Sequence, residues 1–132
     1  MNKAFRKFDL RGRTALITGA AGLLGVEHAI ALIESGATVV LTDIDGTNLK
    51  TAKATLLEDK GATRVLAHIM DVSQPHAIRA VAKELETEGL RIDILVNNAA
   101  IDPKVKGDQG IVETSRLENF PLEQWDLQLS VG

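Results

Sequence analysis

Thr18-Gly19-Ala20-Ala21-Gly22-Leu23-Leu24-Gly25 decides the fold. The octapeptide follows a short apolar run, Thr14-Ala15-Leu16-Ile17-Thr18, and precedes a stretch in which Val26, Ala29, Ile30 and Ile33 recur at helical spacing. A strand that turns sharply into a helix needs small residues there, each for its own reason. Gly19 suits the backbone angles of the turn. Gly22 lets a ligand phosphate approach the backbone with no side chain in the way. Gly25 lets the helix lie close on the strand. The helix start then offers free N–H groups and a partial positive charge, which suit a pyrophosphate. Three glycines alone are a weak signal, since a plain glycine-rich turn has the same composition. The flanking strand and helix, with an acid at the end of the next strand, give the stretch its meaning.

That acid is Asp43, 18 residues beyond Gly25. In dinucleotide-binding folds an acid near this spacing hydrogen-bonds the adenosine ribose hydroxyls; the alternative is a solvated loop aspartate. Ile44 and Asp45 follow, with no arginine nearby. A 2′-phosphate would meet like charge there, about 4 kcal/mol for unit charges at 4 Å in an effective dielectric of 20 and several-fold less with partial exposure. NAD is therefore the expected cofactor, with NADP less favoured.

The same alternation runs on to about residue 100. Thr38 to Thr42 is a second strand, and Thr47 is placed to cap a helix with the stripe Leu49, Ala52 and Leu56, closed by Gly61. Arg64 to Met70 reads as a third strand ending at Asp71. Ser73 is expected to cap a helix with the stripe Ile78, Val81, Ala82 and Leu85, closed by Gly89, as Gly36 closes the first. Ile92 to Val96 is the fourth strand. Strands alternating with helices predict right-handed crossovers and an α/β doubly wound (Rossmann-type) parallel sheet of order 3-2-1-4. Near-continuous apolar runs such as Val39-Val40-Leu41 suit strands buried on both faces. Residues 1–132 are expected to form a single dinucleotide-binding domain, incomplete at its carboxyl end. Ile101 to Phe120, polar and glycine-containing, reads as a surface loop, and a last helix is expected near Pro121.

Composition narrows the function classes. The chain has 132 residues, 45% apolar and 25% charged, with a net charge of -3. That balance gives no reason to expect nucleic acid or a membrane surface as partner. Cysteine is absent, which excludes disulfides and thiolate chemistry and suits a cytoplasmic setting. No signal peptide and no membrane span are visible. His28, His68 and His76 fall on separate elements and suggest no metal site. Ser35, Ser73, Ser115 and Ser130 lack a partnered base, and Lys104, Lys106 and Asp108 read as solvated loop residues.

From Phe8 to about Val131 the chain resembles the short-chain dehydrogenase/reductase family. Phe8-Asp9-Leu10-Arg11-Gly12-Arg13 is similar to the family's lead into its first strand. The glycine turn follows the TGxxGxxG spacing of the extended branch. Asn97-Asn98-Ala99-Ala100 resembles the NNAG of the compact branch, with alanine in the last place, and the compact branch is favoured. The resemblance implies that Asp71 and Val72 lie against adenine and that Asn98, Ala99 and Ala100 line the path towards nicotinamide. The corresponding cofactor-binding set is Gly19, Ala21, Gly22, Leu23, Leu24, Gly25, Asp43, Ile44, Asp71, Val72, Asn98, Ala99 and Ala100. A helix-preceding acid for Asp71, and turn-tying roles for Asn97 and Asn98, are the structural alternatives. Trp125 resembles the residue that opens the family's long fifth helix, as a packing anchor.

The resemblance also implies a hydride exchange between an alcohol or carbonyl substrate and the dinucleotide. The hydroxyl proton goes to a tyrosine tuned by a lysine four residues on, beside a serine. This chain contains no tyrosine. Gly132 stands where the family often has an asparagine, and the loop before Trp125 is longer than usual. The expectation is a cofactor-binding part with no catalytic residue of its own, inactive alone, from a protein that forms dimers or tetramers at full length. The fourth strand would then be left with an uncovered edge. A non-catalytic NAD-binding or structural module, and a methyltransferase, are the competing readings.

Overall fold

The computed structural model describes residues 5–59, 64–101 and 120–132. The chain divides into two compact units, Met1–Ala99 and Ala100–Gly132. The first opens with a one-turn 3-10 helix, Phe5–Phe8. Then follow β1 (Thr14–Ile17), α1 (Leu23–Glu34), β2 (Thr38–Asp43), α2 (Gly46–Asp59), β3 (Val65–Ile69), α3 (Pro75–Thr87) and β4 (Ile94–Val96). The strands form one sheet of order β3-β2-β1-β4, the predicted order, and every pairing is parallel.

Alternation along the strands builds two cores. Ala15, Ile17, Val39, Leu41 and Val65 face one way and meet Ala29 of α1 and Leu49, Ala52 and Leu56 of α2. Leu16, Val40 and Met70 face the other way and meet Val81 and Leu85 of α3. Successive side chains on a strand point to opposite faces, so a run without a polar break is the natural outcome when helices cover both. Ile17, Leu41 and Leu56 are fully buried, each worth roughly 1.5–3 kcal/mol of transfer free energy.

Several local expectations shift. The third and fourth strands are shorter than predicted and begin at Val65 and Ile94. Asp45, not Thr47, starts α2: its carboxylate accepts from the Asn48 backbone N–H at 3.0 Å and from Asn48 Nδ2 at 2.8 Å. Carboxylate outcompetes hydroxyl as acceptor for the free N–H groups of a first turn, and Thr47 lies inside the helix. Ser73 does not cap α3, which opens at Gln74 with no side-chain cap and with Pro75 in its first turn. Its buried stripe is Val81 and Leu85 with half-buried Ala77, while Ile78 and Ala82 are exposed. Gly36 and Gly89 have positive φ (95° and 72°) and end α1 and α3 as predicted. Gly61, Lys104, Lys106, Asp108, Ser115 and most of the expected loop lie outside the described residues.

At the amino edge of the sheet, Asp93 ties β1 to the lead into β4. It accepts from the Thr14 N–H at 3.0 Å, from Arg13 at 3.2 Å and from Arg91 at 2.7 Å. In strand order β4 stands at one end of the sheet, and Leu95 is exposed.

In the second unit, α4 (Leu122–Val131) starts at Pro121 with Glu123 in its first turn, favourable to the helix dipole. Phe120 and Trp125 meet edge to face at 6.4 Å. Trp125 is half exposed.

Candidate cofactor site

The carboxyl ends of β1, β2 and β4 converge on the glycine turn. Gly19 has φ +61°, and a Cβ there would stand 2.8 Å from Ala99 Cα. Both facts demand glycine. Gly25, the third residue of α1, is buried, and a Cβ on it would stand 2.5 Å from the Gly19 carbonyl oxygen and 2.6 Å from Ala20 Cα. Backbone blocks that space, so the close approach of helix to strand needs glycine.

Gly22 differs. Its φ of -80° is open to any residue, and a Cβ would meet nothing nearer than the Gly19 oxygen at 3.4 Å. It is exposed and forms the N-cap of α1 without a side-chain cap bond. The N–H groups of Leu23 and Leu24 find no acceptor among the described residues, and the first turn carries no acid. Both leucines are exposed. The protein does not need a glycine at 22 for its own packing, so the opening it leaves suits a group outside the fold.

Asp43 reaches across from the end of β2. One carboxylate oxygen accepts from the Ala21 N–H at 3.0 Å and the other from the Asp45 N–H at 3.0 Å. Each oxygen keeps a lone pair for a further donor. Asp43 makes no ion pair among the described residues. Ile44 beside it is exposed.

Asn98 and Ala99 are tied to the same turn. Asn98 Nδ2 donates to the carbonyls of Thr18 at 3.2 Å and Gly19 at 3.1 Å. The N–H groups of Asn98 and Ala99 both donate to the Thr18 hydroxyl at 3.0 Å, and that hydroxyl donates to the Val96 carbonyl at 3.5 Å. The turn-tying role of Asn98 is thus met in the structure. Ala100 opens the second unit and is exposed.

Asp71 and Val72 form a separate group beyond β3. Asp71 accepts from the Ser73 N–H at 2.9 Å and the Ser73 hydroxyl at 2.7 Å, which hold its carboxyl below the usual range. Val72 is half-buried against the α3-side core.

Two residues outside the sequence-derived set help to shape the site. Thr18 spends its whole hydrogen-bonding capacity holding β4's exit against the turn. Thr42, fully buried, donates to the Ile17 carbonyl at 2.8 Å, and its own carbonyl accepts from the Ala20 N–H at 3.0 Å. Their sequence signal was a threonine closing each buried strand just before a polar turn, a place where a buried hydroxyl must find partners. Among the described residues no group of three or more His, Cys, Asp or Glu could hold a metal ion, and no helix is long and apolar enough to cross a membrane.

A parallel α/β sheet of this order, with a glycine turn opening a helix at the end of β1 and an acid at the end of β2, defines a Rossmann-type dinucleotide-binding fold. Residues 13–130 match the family described as short chain dehydrogenase, and the chain belongs to that family of nicotinamide-dinucleotide oxidoreductases. A short chain dehydrogenase/reductase of Macrophomina phaseolina is 41% identical over 124 residues, 94% of this chain and 65% of that protein. A gluconate 5-dehydrogenase from Burkholderia cenocepacia, solved with NADP and tartrate, superposes with TM-score 0.79 at 31% identity and covers 97% of this chain and 46% of its own. An NAD+-bound xylitol dehydrogenase superposes with TM-score 0.74 at 26% identity, over 92% of this chain and 43% of its own. The chain spans less than two thirds of the length of each.

Proposed function

We propose that these residues form the cofactor-binding part of an NAD-dependent oxidoreductase that acts on an alcohol or carbonyl substrate. Gly22 carries this reading: it is the one glycine of the turn that the protein's own packing does not require. In this reading the Leu23 and Leu24 N–H groups hold the pyrophosphate at the amino end of α1. The spare lone pairs of Asp43 take the adenosine ribose hydroxyls, with Ile44 alongside. Asp71 and Val72 border adenine, and Asn98 to Ala100 border the route to nicotinamide. Gly19, Ala21 and Gly25 shape the turn. The bound dinucleotide supplies the hydride acceptor or donor.

The preference for NAD over NADP rests on Asp43, a carboxylate with no cation paired to it among the described residues, because a second negative group there would be repelled. Relatives in structure carry either dinucleotide, so titration decides. With no tyrosine in the chain, we propose that these residues bind the cofactor but do not themselves take the substrate proton. We also propose a cytoplasmic setting, a single dinucleotide-binding domain as the functional unit, and a homo-oligomer for the whole protein. A purely NAD-binding module is the second reading, favoured by that same lack of a tyrosine base.

Calorimetric titration of the 132-residue chain tests the core of the proposal. NAD+ is expected to bind at least about tenfold tighter than NADP+, a difference of about 1.4 kcal/mol. Gly22→Val is expected to melt within a few degrees of the parent yet lose about tenfold or more in NAD+ affinity. Unchanged NAD+ binding in that variant would overturn the assignment of the turn, and equal binding of both dinucleotides would overturn the preference.

A further inference from the structure

Ile69 is a neighbour of Asp43 that the sequence reading leaves out. It stands opposite Asp43 in the parallel register of β2 and β3. Side chains alternate along a strand, so residues at even spacing share a face. Val65 and Ala67 belong to the same core as Leu41, which places Ile69 on the face from which Asp43 reaches the glycine turn. The side chain runs over the start of α2, where a Cβ on Gly46 would come within 2.7 Å of Ile69 Cδ1. Yet Ile69 is 67% exposed and Ile44 is 68% exposed. Two large apolar side chains therefore flank a carboxylate at the open edge of the sheet. No lysine or arginine occurs from Asp43 to Leu49 or from Val65 to Asp71.

We infer that the position of Ile69 sets dinucleotide specificity together with Asp43: with an uncharged side chain there, the repulsion of a 2′-phosphate by Asp43 is left unopposed. The inference rests on the reading of Asp43 as the ribose-binding acid. Asp43 repels a second anion, and Ile69 occupies the adjacent position from which a cation would neutralise both. Neighbouring strands lie about 4.8 Å apart, so an arginine at this position has ample reach to the carboxylate and beyond it. Guanidinium is also the group best matched to phosphate oxygens.

The test is titration of the parent, Ile69→Arg and Ile69→Gln chains with NAD+ and NADP+, beside thermal melting of each. Because Ile69 is mostly exposed on a strand at one end of the sheet, the variants are expected to melt close to the parent. Ile69→Arg is expected to improve the NADP+ to NAD+ affinity ratio by about fivefold or more, while Ile69→Gln leaves it within about twofold. Ile69→Lys serves as a second cationic variant should the arginine disturb folding. If the parent binds NAD+ and neither cationic variant moves the ratio, Ile69 has no such role. If the glutamine variant moves it as far as arginine, side-chain bulk and not charge governs the site, and the inference also fails. A parent that binds neither dinucleotide would instead sink the underlying site assignment, and this inference with it.

Discussion

The two ends of the sheet use the same device to different effect. At the amino edge, Asp93 accepts a backbone N–H just where β1 begins, and two guanidinium groups close over it. At the carboxyl edge, Asp43 accepts a backbone N–H just after β1 ends, and no cation approaches it among the described residues. The first acid takes three donors from the protein, two of them cationic. The second keeps acceptor capacity in reserve, beside a helix start where the Leu23 and Leu24 N–H groups are likewise unspent among the described residues. An acid neutralised by the protein's own cations serves stability, and one left without a cation beside open N–H donors serves a ligand.

The sharpest way to break this contrast is at the glycines. Gly25→Val would drive a side chain into the Gly19 carbonyl and Ala20 Cα, backbone atoms with nowhere to go. A loss of about 3 kcal/mol or more is expected, seen as a large fall in the denaturation midpoint. Gly22→Val, three residues earlier, should cost little stability. If the two variants melted alike, the division between a packing glycine and a ligand glycine would collapse.

Next in size is Thr18→Val. It keeps the shape but removes the acceptor shared by the Asn98 and Ala99 N–H groups. A loss of about 2 kcal/mol is expected, together with faster amide exchange at those two residues. Exchange unchanged at both would mean the hydroxyl does not hold the exit of β4. Thr42→Val removes a single buried bond to the Ile17 carbonyl, and about 1 kcal/mol is expected by chemical denaturation.

Why these threonines escaped the sequence reading is instructive. The strands, their order and most helix ends were legible because local signals carry them: apolar runs, glycines with positive φ, an acid at a strand end. The glycine turn was legible because its spacing is local as well. Thr18 acts through residues about eighty positions away, a contact that exists only once β4 lies beside β1. Ile69 was missed for the same reason, since only strand register sets it beside Asp43. The helix starts misled in a different way. Asp45 took the place expected of Thr47 because a charged acceptor binds a helix start more strongly. Ser73 was drawn into a turn with Asp71, leaving α3 to open at Gln74.

The smallest expected effect lies at the closed edge and shows only in acid. The Arg91 guanidinium, helped by the Thr14 N–H and by Arg13, holds the Asp93 carboxyl down to about 2, against 3.8 for a free aspartate. A carboxylate with a depressed folded-state pKa adds stability that is fully present above the unfolded value and disappears as the pH falls through the folded one. The window for Asp93 is therefore the interval from about 3.8 down to about 2. Asp9 is also lowered to about 2, by Arg11 only two residues away. So short a link survives partly in the unfolded chain, and Asp9 should contribute less to the difference between states. Asp93 also has a partner two residues away in Arg91, so only the part of its lowering that comes from the Thr14 N–H and Arg13, about eighty residues away in sequence, is created by folding alone. Denaturation midpoints of the parent measured across pH 4 to 2 should fall more steeply than those of Asp93→Asn, whose curve should flatten in that interval alone. Parallel curves would mean that the guanidinium pair closing the amino edge is as well formed in the unfolded chain as in the folded one, and the two edges would then differ in composition without differing in work done for the fold.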